Sequence, residues 1–587
     1  GEDDGYNIAA NMSTLKSYLG TLGTWINNSK NGSMVIDCIS VSPRDMKDKE
    51  ALQPAKANFF KSIWHEIAAF FYSFFTEYDQ MGLTEIPDED SKSIDVWLAT
   101  GRDQSQIWRS MIDAVDGFTN ATGVAVNLKL VTGGTLLPSI LSGKGPDVYM
   151  GLGSTDVINY AIRDAVLPVG FSDDYKDELT NEQKIFSSTY YTFKNDGEYV
   201  TTYKGDDGAY YVYGAKEATK YGGDTSNPTY TTKSFNDVIG YDVFAKEKDT
   251  SDANFVEAAM DTVTLLGKTY GIPQTMSFAM MFYRMDVLAE LEQEVPESWD
   301  ELLAILPVLQ TNNMSIGVNY ISAIDFMIYQ KGGNMWKYPD DHDFQGARID
   351  LDSNVSLEAF DFVCRLYSDY SFPVSYDAAN RFRTGEMPII IGDYAGIYNQ
   401  LVVYATEIAG LWEFTSLPGC INKTTGKFDY SSLAGIGATV LLHGCEDVLS
   451  AWQFIQWQTG AKAQADYGNK MVALIGPSAK YESANVKALE DLSWTSSEKE
   501  AIREQMSRLY SIVNYPGSYI INRYTKFAFL AAVNDGENAV DALTGYIDAI
   551  NEEISRKRGE FNLPIIEANE TYEEAQQRLQ QEREKNK

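Results

Sequence analysis

From residue 94 onward, short apolar runs and amphipathic stretches follow one another in a repeating order that leaves few folds open. IDVWLA (94–99) alternates as a strand does, and 106–120 carries helical spacing. VAVNLKLV (124–131) is a second strand, and TLLPSILSGKG (135–145) a short helix stopped by glycine. DVYMGLG (147–153) is a third strand, and STDVINYAIRDA (154–165) the next helix. Short strands alternating with helices of about 10–15 residues predict a parallel sheet with helices on its faces. Ligands of such sheets sit beyond the carboxyl ends of the strands. This places 100–104 and 152–156 at the rim of a cleft.

The rhythm breaks over 171–262. Residues 190–233 are rich in Tyr, Gly, Asp and Thr, with β-like runs such as EYVTTY and AYYVYG. This stretch reads as a β-rich insertion or as a mobile loop. The pattern returns with GKTYGIP (267–273), a hairpin end, and SFAMMFYRMDVL (277–288), a strand entering a helix. SWDELLAILPVLQ (298–310) is a helix with a Ser cap and acidic residues in its first turn. SLEAFDFVCRLYSDY (356–370) is an amphipathic helix, and MPIIIGDY (387–394) a buried strand leaving into a turn. Helices follow over 447–459, 496–510 and 540–557, and the charged tail 572–587 predicts a frayed helix.

Residues 1–92 differ from the rest. FFKSIWHEIAAFFYSFFTEY (59–78) sets its apolar positions on one broad helical face. Such a helix packs on its own protein, lies on a membrane or grips a partner. Lys61 alone supplies positive charge on the polar side, which is weak for a membrane-surface helix. Pro87 and the acidic run 88–90 read as a linker.

The chain's 587 residues admit several domains or one large two-lobed protein. Its formal net charge of −35 opposes the positive footprint that nucleic-acid binding needs. No stretch reaches the roughly 18 apolar residues of a membrane span. Aromatic residues make up 13%, with 37 Tyr; these rings either pack a core or cover the apolar faces of pyranoses. Cys38, Cys364, Cys420 and Cys445 form no CxxC pair, and three His make a His-based metal site a poor reading. Cys420 could pair with Cys445, but spacing does not choose among the connectivities. The first residues, Gly-Glu-Asp-Asp, carry no targeting segment, which fits a cytoplasmic protein or one whose signal has been removed.

Several chemistries lack their residues. GKG at 143–145 has Pro138 where a phosphate loop needs its first glycine, and HEIAAF (65–70) has Ala69 where a metalloprotease helix needs its second His. No GxSxG elbow occurs. The acidic run 88–90 lacks the turn glycine of a calcium loop. Carboxylates are plentiful, so a glycosidase pair stays open.

WLATGRDQSQIW, followed by NLKLVTGGTLLPSILSGKGPDVYMGLGSTDVINYAIRDAVLPV, resembles the first lobe of family 1 extracellular solute-binding proteins, the maltose-binding-protein-like receptors of ABC importers. LGKTYGIPQTMSFAMMFYRMDVL is similar to that family's first interlobe crossing, and FRTGEMPIIIGDYAGIYNQL to its second-lobe segment. EFTSLPG, the Gly-rich strand 435–442 and AWQFIQW follow in the expected order. The likeness covers roughly 93–170 and 263–560 and is nearest to the long receptors of Gram-positive bacteria. It implies a two-lobed α/β fold of the periplasmic-binding-protein type II; the N-terminal helical extension and the β-rich insertion in the first lobe depart from it, having no counterpart in small sugar receptors. The domains expected are 1–92 as extension, 93–275 as first lobe with its insertion at 171–262, 276–416 as second lobe, 417–468 returning to the first, and 469–587 as second lobe and C-terminal helices.

The resemblance further implies secretion, a lipid anchor on a Cys upstream of Gly1, and a permease and ATPase as partners. The ligand expected is an oligosaccharide, with no cofactor, no catalysis, no nucleic acid and a monomeric state. A glycan-binding adhesin and, less readily, a glycoside-active enzyme are the alternatives.

Hinges are expected near 274–278, 415–418 and 468–474. Candidate first-lobe contacts are Arg102, Asp103 and Gln104 at the first strand end, with Ser154 and Asp156 at the third; Ser154 or Asp156 could instead cap a helix. Asp and Arg suit sugar hydroxyls because each makes two hydrogen bonds at once. Gln274 and Phe278 stand at the crossing. Second-lobe candidates are Asn380, Arg381, Asp393, Tyr394 and Tyr398, with Trp336 as a stacking floor or a packed loop aromatic. YPGSYIINRYTKF offers Tyr519, Arg523 and Tyr524, since the resemblance implies a late aromatic in the site.

Overall fold

The computed structural model describes residues 92–244 and 252–585, together with Trp64. Trp64 apart, the aromatic helix expected over 59–78, the linker and Cys38 lie outside these residues.

Strand β1 (Ser93–Leu98) alternates exposed and buried residues, with Ile94, Val96 and Leu98 inward. Helix α1 (Arg102–Ile112) follows, started by Gly101 in an extended conformation and by Gln104, whose side chain accepts from the Gly101 N–H at 2.8 Å. The helix ends at Asp113, and a separate short helix, Phe118–Thr122, starts after Gly117. The single helix expected over 106–120 is therefore two. A β-carbon at Gly117 would stand 2.2 Å from the Met111 carbonyl oxygen, so only glycine lets the chain fold back at this break. β2 (Ala125–Leu130) and β3 (Val148–Gly153) then pair parallel with the two sides of β1, and α2 (Ser154–Ala161) leaves β3.

The Tyr-rich stretch is an ordered sheet rather than a loop. Strands β4 (Tyr190–Asn195), β5 (Glu198–Lys204), β6 (Tyr210–Val212) and β7 (Tyr230–Thr232) stand in the order β6-β5-β4-β7. Its tyrosines mainly pack on one another: Tyr191 and Phe193 both meet the Tyr210 ring edge-on.

β8 (Ile272–Ser277) belongs to the first sheet and β9 (Ala279–Arg284) to a second, so the chain changes sheets at the single residue Phe278. Helices α3 (Trp299–Thr311), α4 (Tyr320–Gln330) and α5 (Asn354–Ser368) surround the second sheet. Its strands β10 (Ile316–Val318), β11 (Ile389–Asp393) and β12 (Trp412–Thr415) stand with β9 in the order β10-β11-β9-β12. Helix α6 (Tyr394–Tyr404) springs directly from β11, capped by Asp393, whose Oδ2 accepts the Gly396 N–H at 2.6 Å.

The return to the first sheet comes later than the 415–418 expected. After β12 the chain makes a hairpin and the short strand β13 (Ser432–Leu433), and rejoins through β14 (Gly435–Leu441). The completed first sheet reads β8-β14-β3-β1-β2. Helices α7 (Val448–Gln458) and α8 (Ala461–Ile475) cover it. The insertion is tied to α7, where Tyr230 OH donates to the Gln453 carbonyl at 3.1 Å and the Trp452 indole to the Lys233 carbonyl at 3.1 Å.

The third crossing does not lie at 468–474, which is helical. It follows Gly476 and Pro477. The Met276 N–H donates to the Glu482 carbonyl and the Ala484 N–H to the Gln274 carbonyl, which lays 482–484 along β8 before the chain passes to α9 (Ser496–Met506) beside β12. β15 (Leu509–Tyr510) then pairs with β13. Helices α10 (Ile521–Asn534) and α11 (Ala539–Glu560) close the second lobe against α5, and α12 (Tyr572–Lys585) ends the described chain. α12 is docked rather than frayed: Tyr572 stacks on Tyr338 at 4.1 Å and Arg583 pairs with Asp343 at 2.7 Å. Cys364, Cys420 and Cys445 are free thiols, so Cys420 does not pair with Cys445. Among the described residues, no helix is long and apolar enough to cross a membrane.

Candidate functional site

A cleft of about 1210 Å³ lies where the carboxyl ends of β1 and β3 face the start of α6 across the crossings. β1 delivers Thr100 and, through the first turn of α1, Arg102, Asp103 and Gln104. β3 delivers Met150 and Gly151, whose φ of +75° is a backbone state that favours glycine. β8 brings Gln274 and Thr275, the second lobe brings Asp393 and Asn399, and the strap after α8 brings Lys480, Tyr481 and Glu482.

Several of these side chains are fixed by buried partners. Thr439 donates from Oγ1 to Gln274 Oε1 at 3.2 Å. Gln464, fully buried, accepts from Tyr481 OH at 2.9 Å and from Ser483 Oγ at 3.0 Å. Trp108 stacks on Tyr467 with ring centres 4.3 Å apart, and Tyr481 meets Tyr467 edge-on at 4.9 Å. Tyr481 is thus the half-exposed end of an aromatic row that begins in the first-lobe core. Asn399 accepts the Lys480 N–H and donates to the Lys480 carbonyl, so its amide holds the strap.

The electrostatics are those of a partly dry acidic site. Burial, and then the neighbouring charge of Asp393, push the Glu482 carboxyl up to about 8. Burial also raises Asp393, opposed by the hydrogen bond from Gly396. Burial lowers the Lys480 ammonium, which lies over the Trp494 ring at 4.9 Å and donates to the Ser493 carbonyl. Burial holds the Tyr481 phenol well above its ordinary value, so it stays protonated. At neutral pH the walls therefore offer a protonated carboxyl, a primary amide and a guanidinium, each able to donate to a hydroxyl-rich ligand, while the Tyr481 phenol gives its one proton to Gln464. Among the described residues, no group of three or more His, Cys, Asp or Glu side chains is arranged to hold a metal ion.

Of the residues singled out in the sequence, the cleft gathers Arg102, Asp103, Gln104, Gln274 and Asp393. The Gln104 carboxamide is partly occupied with the helix start and Thr100. Phe278 and Tyr394 stand behind the cleft, buried and stacked at 4.6 Å. Ser154 and Asp156 fall in the first turn of α2, away from the lining, because the chain has turned at Gly153. Tyr398 lies on another side of α6, against Trp412 and Trp494.

Trp336 is buried in the second lobe, its indole donating to the Val513 carbonyl at 3.2 Å. Asn380 is buried and accepts from Arg383 at 3.2 Å, while Arg381 faces Glu386 at 3.9 Å. Tyr519 is exposed and bonded to Glu553, Arg523 lies over the Phe527 ring, and Tyr524 stacks on Tyr546. The structure keeps these last three on the C-terminal helices, outside the cleft. Asn399, Lys480, Tyr481 and Glu482 were not singled out; the signal available was Gly476–Pro477, which stops α8.

Residues 113–493 match the family model of bacterial extracellular solute-binding proteins. No curated protein matches the chain by sequence. Among solved structures, the sugar-binding protein MalE from the phytopathogen Xanthomonas citri is similar at 15% identity and a TM-score of 0.56, over 80% of this chain and 99% of its own. The extracellular solute-binding protein from Staphylococcus aureus, solved with maltose, is similar at 13% identity and a TM-score of 0.54, over 81% and 99%. An ABC transporter solute-binding protein from Thermotoga lettingae, bound with α-D-tagatose, is similar at 16% identity and a TM-score of 0.51, over 79% and 100%. These likenesses show a common two-lobed α/β fold.

Proposed function

The chain belongs to the bacterial extracellular solute-binding proteins, and we propose that it is the extracytoplasmic receptor of an ABC importer, closing its two lobes on an oligosaccharide and releasing it to a membrane permease driven by a cytoplasmic ATPase. The observation that carries this reading is the change of sheet at Phe278, with the polar cleft opening directly in front of it. Two sheets joined at one residue and two straps can pivot with little disturbance of either core. Ligand shifts the open–closed balance only through its better affinity for the closed form. Arg102, Asp103 and Gln274 on one side and Asp393 on the other would supply the two halves of the contact, with Tyr481 as a ring for a pyranose face. The receptor acts as a monomer and leaves its ligand chemically unchanged.

Within the cleft, Asp393 and Glu482 would suit acid catalysis on a glycoside, because a carboxyl held protonated at neutral pH can act as a general acid. Calorimetry against a panel of neutral oligosaccharides, followed by chromatography of the recovered sugar, separates the two readings. Saturable binding with intact sugar supports the receptor, and turnover to shorter products overturns it.

A further inference from the structure

The cleft does not end between the lobes. A second cavity of about 950 Å³ shares Asp103, Ile475 and Ser478 with it. A third, of about 600 Å³, shares Val402 and Thr406 with the second. The shared lining residues set the three side by side as a trough-like row. It runs from the polar cleft, past Leu474 and Ile475 facing Val402 and Val403, to the outer side of α6. The third part lies wholly on the second lobe, between β9, α6, β12 and α9, so a movement of the lobes leaves its walls together.

Sites for drug-sized ligands measure about 300–1,000 Å³, and the cleft alone already exceeds that range. The outer part has the chemistry of a sugar site. Tyr398 and Trp412 present half-buried rings set edge-on at 5.4 Å. Tyr283 OH donates to Glu413 Oε2 at 2.8 Å, and burial, then the charge of Glu498, raise the Tyr398 phenol. Rings beside hydroxyls and carboxylate acceptors match alternating apolar faces and hydroxyl edges of a pyranose chain. Charge narrows the class further. The third cavity is lined by Glu413, Glu498, Glu500 and Glu504, the last paired with Arg508 at 2.8 Å, and the second carries Asp103; neither has Lys or Arg among its lining residues. A uronate or sulfated chain would meet like charge along this path.

Resting on the receptor reading above, we infer that the ligand is an extended, uncharged oligosaccharide, held by one end in the cleft while further units lie along the trough on the second lobe. The test is calorimetry on the full chain with malto-, xylo-, manno- and fructo-oligosaccharide ladders from disaccharide to heptasaccharide, and with oligogalacturonides. In the ladder that binds, affinity rises roughly tenfold or more from disaccharide to hexasaccharide, and oligogalacturonides bind far more weakly. Thr406→Trp, at the exposed junction of the two outer cavities, removes the gain with length. Affinity independent of chain length, or equal affinity for oligogalacturonides, overturns the inference while the receptor reading stands. Failure of every ladder at every length overturns the receptor reading itself.

Discussion

Asn399 holds the backbone of Lys480 at both of its polar atoms: Nδ2 donates to the Lys480 carbonyl at 3.1 Å, and Oδ1 accepts the Lys480 N–H at 3.0 Å. The amide sits on α6 of the second lobe, and Lys480 sits on the strap that leaves α8 of the first. One side chain thereby couples the wall of the cleft to a crossing. Asn399→Ala leaves two backbone groups without that partner and should cost about 1–3 kcal/mol. Asn399→Asp keeps the acceptor but loses the donor and should fall between. Urea unfolding reads the stability, and calorimetry should show weaker sugar binding in the same order.

Glu482 makes stability depend on pH. Its carboxyl stands at about 8 instead of 4.5, so the folded chain binds this proton more tightly than the unfolded one. The contribution of this group to stability is therefore full below about pH 4.5 and is lost as pH rises towards about 8. Glu482→Gln removes that slope, and its urea midpoint should exceed the parent's above pH 8 and match it in acid. Sugar affinity, if the protonated carboxyl donates to the ligand, should decline through the same window in the parent and stay level in the variant.

The ring of Tyr394 is buried against Phe278, with centres 4.6 Å apart, directly behind the change of sheet. Tyr394→Ala should cost about 3–5 kcal/mol, as deletion of a buried ring does. Thermal unfolding by calorimetry checks the loss.

Arg102 and Asp103 are exposed in the first turn of α1, so truncating them removes little of the fold. Arg102→Ala and Asp103→Ala should each leave unfolding within about 0.5 kcal/mol of the parent. Each removes a charged hydrogen-bonding group worth about 1.5–3 kcal/mol, so each should weaken sugar binding roughly tenfold to a hundredfold. Calorimetry and unfolding on the same preparations check both halves.

The parts of the site that were legible in sequence are those where a strand ends. IDVWLATGRDQ and IIIGDY each show an apolar run stopping at polar residues, and both deliver cleft residues, Arg102 to Gln104 and Asp393. The crossing at Phe278 was legible for a similar reason, as two apolar runs follow with almost no break. Lys480, Tyr481 and Glu482 were not, because 476–486 has neither helical nor strand spacing. That strap is placed by long-range bonds, to Asn399 and to the backbone of β8. Trp336 and Tyr524 illustrate the opposite failure. An aromatic in a Gly-rich or polar segment looks available for stacking, yet partners far along the chain, Val513 and Tyr546, decide where its ring lies. The late return to the first sheet was hidden in the same way, since β13 is held by β15, some 77 residues later at Ser432 and Leu509.

Small-angle X-ray scattering on the full chain, with and without a saturating oligosaccharide chosen from the binding panel, addresses lobe closure itself. Pivoting about Phe278 predicts a smaller radius of gyration and a shorter maximum dimension in the bound sample. Superimposable curves at full saturation would contradict a receptor that works by closing.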